Sequence, residues 1–147
     1  MLKPTKILVP TDFSEYSDRA LGQALDIARH YRAKVYVLHV LREELYRFEE
    51  LGNIADTWQR MEESRLATAK ENLQKQLDKF PQVKEVEVIA DIGRGLHYEA
   101  ILKEAEQRAI DLIVIASLGQ SGIAKYLIGS VARNVLKWAK CPVLLTK

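Results

Sequence analysis

The chain has one cysteine, Cys141, so it cannot form an internal disulfide. It has almost no net charge: 22 basic against 20 acidic residues leave +2 over 147 residues. That balance gives no electrostatic reason to expect nucleic acid or an anionic membrane as a partner. No apolar run approaches the roughly 20 residues of a membrane span. The first residues lack a signal-peptide pattern, which makes the cytoplasm the expected location. No G-x-x-x-x-G-K-[S/T] loop is present, which argues against a P-loop ATPase. No carboxylate cluster suggests a protein cage for a metal, and no nucleophile stands beside an activating base. Ser130 has no identified activating partner, and Cys141 sits at a strand entry beside Pro142.

What remains is a composition of 48% hydrophobic and 29% charged residues, suited to a folded chain rather than a disordered one. The length predicts one domain, 1–147, with one core. Lys6–Thr11, K-I-L-V-P-T, reads as a short buried strand, followed by a turn at Asp12-Phe13-Ser14 with Ser14 or Asp12 as helix cap. From Glu15 to Tyr31 the apolar residues recur at three and four, the spacing of a helix. Ala33–Val40 reads as a second strand covered on both faces. Leu41–Thr57 is charged and less periodic, part loop and part short helix. A long amphipathic helix is predicted from about Asp56 to Phe80, with Pro81 as its stop. Val83–Ala90 alternates and reads as an edge strand. Asp91–His97 reads as a turn, because its Gly-x-Gly lacks the third glycine of a dinucleotide fingerprint. Ala100, Ile101, Ala105 and Ala109 mark a third helix. Strand and helix alternate throughout, which predicts a parallel sheet with helices on both faces and right-handed connections.

The densest chemistry lies in 111–147. Asp111–Ala116 is a β-branched strand that empties into a loop holding Gly119, Gln120, Ser121 and Gly122. Gly129-Ser130 then opens a helix, and Pro142–Thr146 forms a last edge strand. The first turn of a helix carries unpartnered N–H groups and the positive end of a dipole. Glycines let a ligand approach that backbone, and Ser130 adds a hydroxyl. These are the ingredients of a phosphate cradle, and equally of a plain N-cap with turn glycines. Asp12 likewise suits an ordinary turn. His39 has no partner at a recognisable motif spacing and reads as a structural histidine. Arg94 reads as a solvated arginine rather than a phosphate contact.

Gly119, nine intervening residues and Gly129-Ser130-Val131-Ala132 resemble the nucleotide loop of the universal stress protein family, G-x-x-G-x9-G-[S/T]. Here the pattern is A-x-x-G-x9-G-S, with Ala116 in place of the first glycine. Were positive φ required there, alanine would cost on the order of 1 kcal/mol. The opening strand ending at Pro10, Thr11 and Asp12 is similar to the family's start, and the likeness runs along essentially the whole chain. Gly95 stands where the family usually has the proline of Gly-x-Pro.

The resemblance implies a single-domain, open, five-stranded parallel α/β sheet of order 3-2-1-4-5. It implies an ATP site where the first and fourth strands part. Asp12, flanked by Pro10 and Thr11, and the backbone of Val40 would hold adenine. Ala116 and Gly119 would line the ribose and first phosphate. Ser121, Gly129, Ser130 and the Val131 amide would hold the remaining phosphates. Mg²⁺ would be bound mainly through phosphates and water. It further implies a homodimer through Pro142–Thr146, acting as a nucleotide-dependent regulatory or stress-response switch with slow hydrolysis at most. The alternatives are a dimeric interaction module that binds no nucleotide, favoured by Ala116, and an enzyme acting on an adenylated or phosphorylated small molecule.

Overall fold

Lys6–Pro10 forms β1, and its central residues Ile7, Leu8 and Val9 have no solvent exposure. Successive side chains of a strand point to opposite faces. Ile7 and Val9 accordingly join one core cluster and Leu8 the other. The first cluster is built with Leu21, Ala24 and Leu25 of α1 (Glu15–Tyr31) and Leu73 of α2 (Ile54–Asp78). The second is built with Ile101 of α3 (His97–Gln107) and with Ala132 and Val135 of α4 (Ser130–Trp138). The sheet therefore carries a helical layer on each face.

The computed structural model describes residues 2–43, 54–119 and 128–147. Around β1 stand β2 (Lys34–Leu41), β3 (Val88–Arg94), β4 (Leu112–Ala116) and β5 (Val143–Thr146). All neighbours are parallel, in the order β3-β2-β1-β4-β5. This is the order the family resemblance implies. No helix among the described residues is long and apolar enough to cross a membrane.

Helix α1 spans the residues its periodicity predicts. Ser14 caps it, accepting from the Ser17 amide at 3.2 Å. Acidic Glu15 and Asp18 lie in its first turn, and Arg29 and His30 in its last, which suits the helix dipole.

The third strand differs from expectation. Val83 and Lys84 lie in a short 3-10 turn, Pro81–Lys84, that begins with the proline, and the strand starts only at Val88. It then runs through Arg94, across residues whose sequence reads as a turn. The reason is the partner: Val88–Arg94 pairs residue for residue with Val35–Leu41 of β2. That ladder outweighs the weak strand preference of Asp91 and Gly93. At Gly93 a methyl would meet Leu38 at 3.4 Å and Ala100 at 3.7 Å, ordinary van der Waals contacts, so the packing of α3 does not itself require glycine there. The turn itself falls at Gly95, with φ +111°. Other boundaries move by one or two residues. Of the charged stretch 41–57, residues 44–53 lie outside the described residues, and α2 begins at Ile54.

One side chain ties the starts of β1 and β4 together. The Asp111 carboxylate accepts from the amides of Thr5 and Lys6 at 3.0 Å and from the Thr5 hydroxyl. The Asp111 amide returns a bond to the Lys6 carbonyl at 3.1 Å. Burial opposes the carboxylate's charge, but the Thr5 hydroxyl and the Lys6 and Thr5 amides outweigh it and hold the Asp111 pKa below the usual value. A depressed acid stabilises the fold above its unfolded pKa, and the effect is lost as pH falls through the folded pKa. Replacing Asp111→Asn should therefore cost about 1 kcal/mol near neutral pH, at a partly exposed site. The difference from wild type should shrink as denaturation is repeated at pH values below the ordinary carboxylate range.

Candidate functional site

β1 and β4 pair at Ile7 with Leu112 and at Leu8 with Ile113. Beyond those pairs their chains leave for opposite faces: β1 leads to α1 on one side, and β4 leads toward α4 on the other. Such a topological switch opens a crevice at the carboxyl ends of the strands. A cavity of about 250 Å³ lies there. Pro10, Leu38, Val40, Ile115 and Ala116 contribute from the strands. Asp12, His97, Gly119 and the first turn of α4 contribute from above.

The structure brings together nine of the ten residues singled out by sequence. Pro10, Thr11, Asp12, Val40, Ala116, Gly119, Gly129, Ser130 and Val131 all line this cavity. Ser121 lies outside the described residues. Two of the nine hold the loops close together. A methyl on Gly119 would begin 2.7 Å from Asp12 Oδ2, so a side chain there would have to displace the Asp12 carboxylate. Gly129 donates its N–H to the Ser117 carbonyl at 2.7 Å, and a methyl there would lie 3.3 Å from the same oxygen. Gly129 is the N-cap of α4 and supplies no side-chain cap bond. Ser130, Val131 and Ala132 thus present the positive end of the helix to the cavity. Ala116 ends β4, paired with Thr146, and is not among the described residues with positive φ. Its methyl is carried without backbone strain.

The loop after β1 is held by its own polar groups. The Thr11 amide donates to the Leu38 carbonyl at 2.8 Å, and the Thr11 carbonyl lies 2.9 Å from Nδ1 of His39. The His39 ring stacks on Phe13 with centroids 4.3 Å apart. These contacts give His39 a structural place behind the loop. Arg94 pairs with Glu62 of α2 and is not among the residues lining the cavity.

Sequence reasoning missed Ser17, Ser117 and above all His97. Residues 91–97 read as a turn, and the available signal was that a helix begins at its last residue. Burial, reinforced by the charges of Arg42 and His39, pushes the His97 pKa down; the Val40 backbone and Asp12 oppose this. An NMR pH titration should place the His97 midpoint below the ordinary histidine value of about 6.5. Because the folded state disfavours its protonation, stability should fall as pH drops from the unfolded pKa through the folded one. His97→Gln should remove that component.

A sequence model described as the universal stress protein family matches residues 4–147. A universal stress protein of Methanocaldococcus jannaschii is 33% identical over 143 residues, covering 97% of this chain and 81% of its own. The solved universal stress protein UspA of Lactobacillus plantarum superposes with a TM-score of 0.83 at 24% identity and full coverage of both chains, a likeness of fold. The universal stress protein of Archaeoglobus fulgidus solved in complex with dAMP has a TM-score of 0.69 at 26% identity, covering 99% of this chain and all of its own. By its matched sequence and its sheet order, the chain belongs to the universal stress protein family.

Proposed function

We propose that this chain, acting as one unit over 1–147, binds an adenine nucleotide, ATP foremost, and uses it as a switch in a stress-response role. One observation carries the reading: nine residues chosen from separate stretches of sequence surround one cavity at the switch point of the sheet. The A. fulgidus relative, solved in complex with dAMP, supports the ligand class. The residues suit such a group. Side chains at positions 119 or 129 would intrude where the loops approach most closely. The uncapped start of α4 offers positive dipole to a phosphate.

In this reading Asp12 and the Val40 backbone hold the adenine. Ala116 and Gly119 flank the ribose and first phosphate. Gly129, Ser130 and the Val131 amide, with Ser121, hold the others. Among the described residues no group of three or more His, Cys, Asp or Glu could hold a metal ion. Mg²⁺ would then enter on phosphate oxygens and water. The second protomer of a cytoplasmic homodimer would pair along Pro142–Thr146, next to β5, an edge strand on which Leu144 is 36% exposed. The methyl of Ala116 favours the second reading, a dimeric interaction module that binds no nucleotide.

Titration calorimetry with ATP and Mg²⁺ decides between them. Saturable binding at about one nucleotide per chain supports the switch, and no heat at millimolar ATP supports the module. Gly129→Val should abolish detectable binding with little loss of folding, and unchanged affinity in that variant would remove the phosphate role of α4. Leu144→Asp should shift sedimentation from dimer to monomer, while a monomeric wild type would overturn the interface.

A further inference from the structure

Gln76 lies near the end of α2 but is only 2% exposed. A buried amide needs partners, and this one has three. Its Oε1 accepts from the Thr11 hydroxyl at 2.8 Å. Its Nε2 donates to Asp18 Oδ1 at 2.8 Å and to Ser17 Oγ at 3.3 Å. An ionised Asp18 can only accept, so it must face the amino group, which leaves Oε1 for the Thr11 proton. Lys79 donates to the other Asp18 oxygen at 3.0 Å. The Ser17 hydroxyl donates to the Ser14 carbonyl at 2.8 Å and accepts from Gln76 Nε2, and its oxygen, 3.0 Å from Thr11 Oγ1, is a second and longer acceptor for the single Thr11 proton.

The Thr11 hydroxyl has a second role. It accepts from the Phe13 amide at 3.1 Å. Phe13 has φ +66°, in the left-handed region that bulky residues avoid unless their surroundings impose it. That turn directs the Asp12 carboxylate. One Asp12 oxygen accepts from the Ser14 amide at 3.0 Å, and the other lies against the backbone of Gly119. A strained turn at the mouth of the cavity thus takes one of its bonds from the Thr11 hydroxyl, and the nearest acceptor for that hydroxyl is a buried amide from a helix that contributes no described residue to the cavity lining.

We propose that Gln76 is a positioning residue for the base-and-ribose half of the site, locking the Thr11 hydroxyl and, through the Phe13 turn, the Asp12 carboxylate. This rests on the adenine-nucleotide reading above. It separates the two halves of the cavity, because none of the Gln76 bonds reaches Gly129, Ser130 or Val131.

The test compares full-length wild type with Gln76→Met, which keeps the length of the side chain and removes the amide. Adenosine, ATP and inorganic tripolyphosphate are titrated by calorimetry where circular dichroism shows both proteins fully folded. Gln76→Met should weaken adenosine and ATP by a common factor of about tenfold, the cost of freeing one buried polar contact. Tripolyphosphate affinity should stay unchanged. A general loss of structure would weaken all three together, so this split is what a merely structural role would not produce. Should Gln76→Met not fold, Gln76→Glu carries the same test. Its carboxylate could still accept from Thr11, but at neutral pH repulsion from Asp18 draws it off that hydroxyl, and protonation restores a donor toward Asp18. Its adenosine affinity relative to wild type should therefore recover on acidification. Full adenosine affinity in a folded variant, equal losses for all three ligands, or no recovery with pH would overturn the assignment of Gln76. Failure of wild type to bind adenosine or ATP would instead overturn the nucleotide reading, and the assignment with it.

Discussion

The site exists because β1 and β4 are neighbours whose chains depart to opposite faces of the sheet. Parallel strands need long crossovers, and right-handed crossovers leave the first and fourth strands of this order with helices on opposite sides. Only the starts of the two strands are tied closely. Asp111 binds the amides of Thr5 and Lys6, and the ladder between the strands runs over Ile7 and Leu8. Their far ends are free to part around a cavity. The clamp at one end and the opening at the other are two sides of one arrangement. Leu8, Ile113 and Ile115 pack in the second core cluster, while Ile7, Val9 and Val114 pack in the first. A change in strand order would remove both the core and the crevice.

Within the crevice the limiting contact is between Asp12 and Gly119. One loop brings a carboxylate and the other brings a bare backbone, and a side chain at 119 would have to displace that carboxylate. The loop after β1 reaches this position through an unfavourable φ at Phe13, which a hydroxyl, a capped helix and a stacked histidine jointly hold. Strain of this kind persists only where the surroundings over-determine it. Here they come from Ser17 of the adjoining α1 and from two residues distant in sequence, His39 of β2 and Gln76 of α2.

What the sequence made legible follows the same division. Strands buried on both faces announce themselves as continuous apolar runs, so Lys6–Pro10, Lys34–Leu41 and Leu112–Ala116 were readable to within a residue or so. The amphipathic α1 was readable throughout. Glycine spacing and the Pro10–Asp12 turn marked both rims of the cavity, because close approach and turn geometry need particular residue types. The third strand was misplaced because its residues are set by pairing with β2 rather than by their own preferences. His97 and Gln76 were hidden for a related reason. A polar residue on a helix reads as solvated unless something distant covers it, and nothing near Gln76 in sequence says that Thr11 and Ser17 will. The strand order itself was legible only through the family resemblance.

The departure at Ala116 changes volume and not backbone freedom. A glycine retained for conformational freedom would be costly to replace, whereas a glycine retained for space would cost only the volume of a methyl. Ala116 closes β4 in regular parallel pairing with Thr146 and without positive φ, so freedom is not what the position requires. The methyl both packs against the first core cluster and lines the cavity, so any penalty toward an occupant would be steric. At Gly119 and Gly129 the comparison is different, because there the protein itself comes within 2.7 Å and 3.3 Å of a missing side chain. Gly119 and Gly129 are the positions where an added side chain would press on the chain's own loops, whereas the methyl of Ala116 fits the end of β4 and packs against the first core cluster.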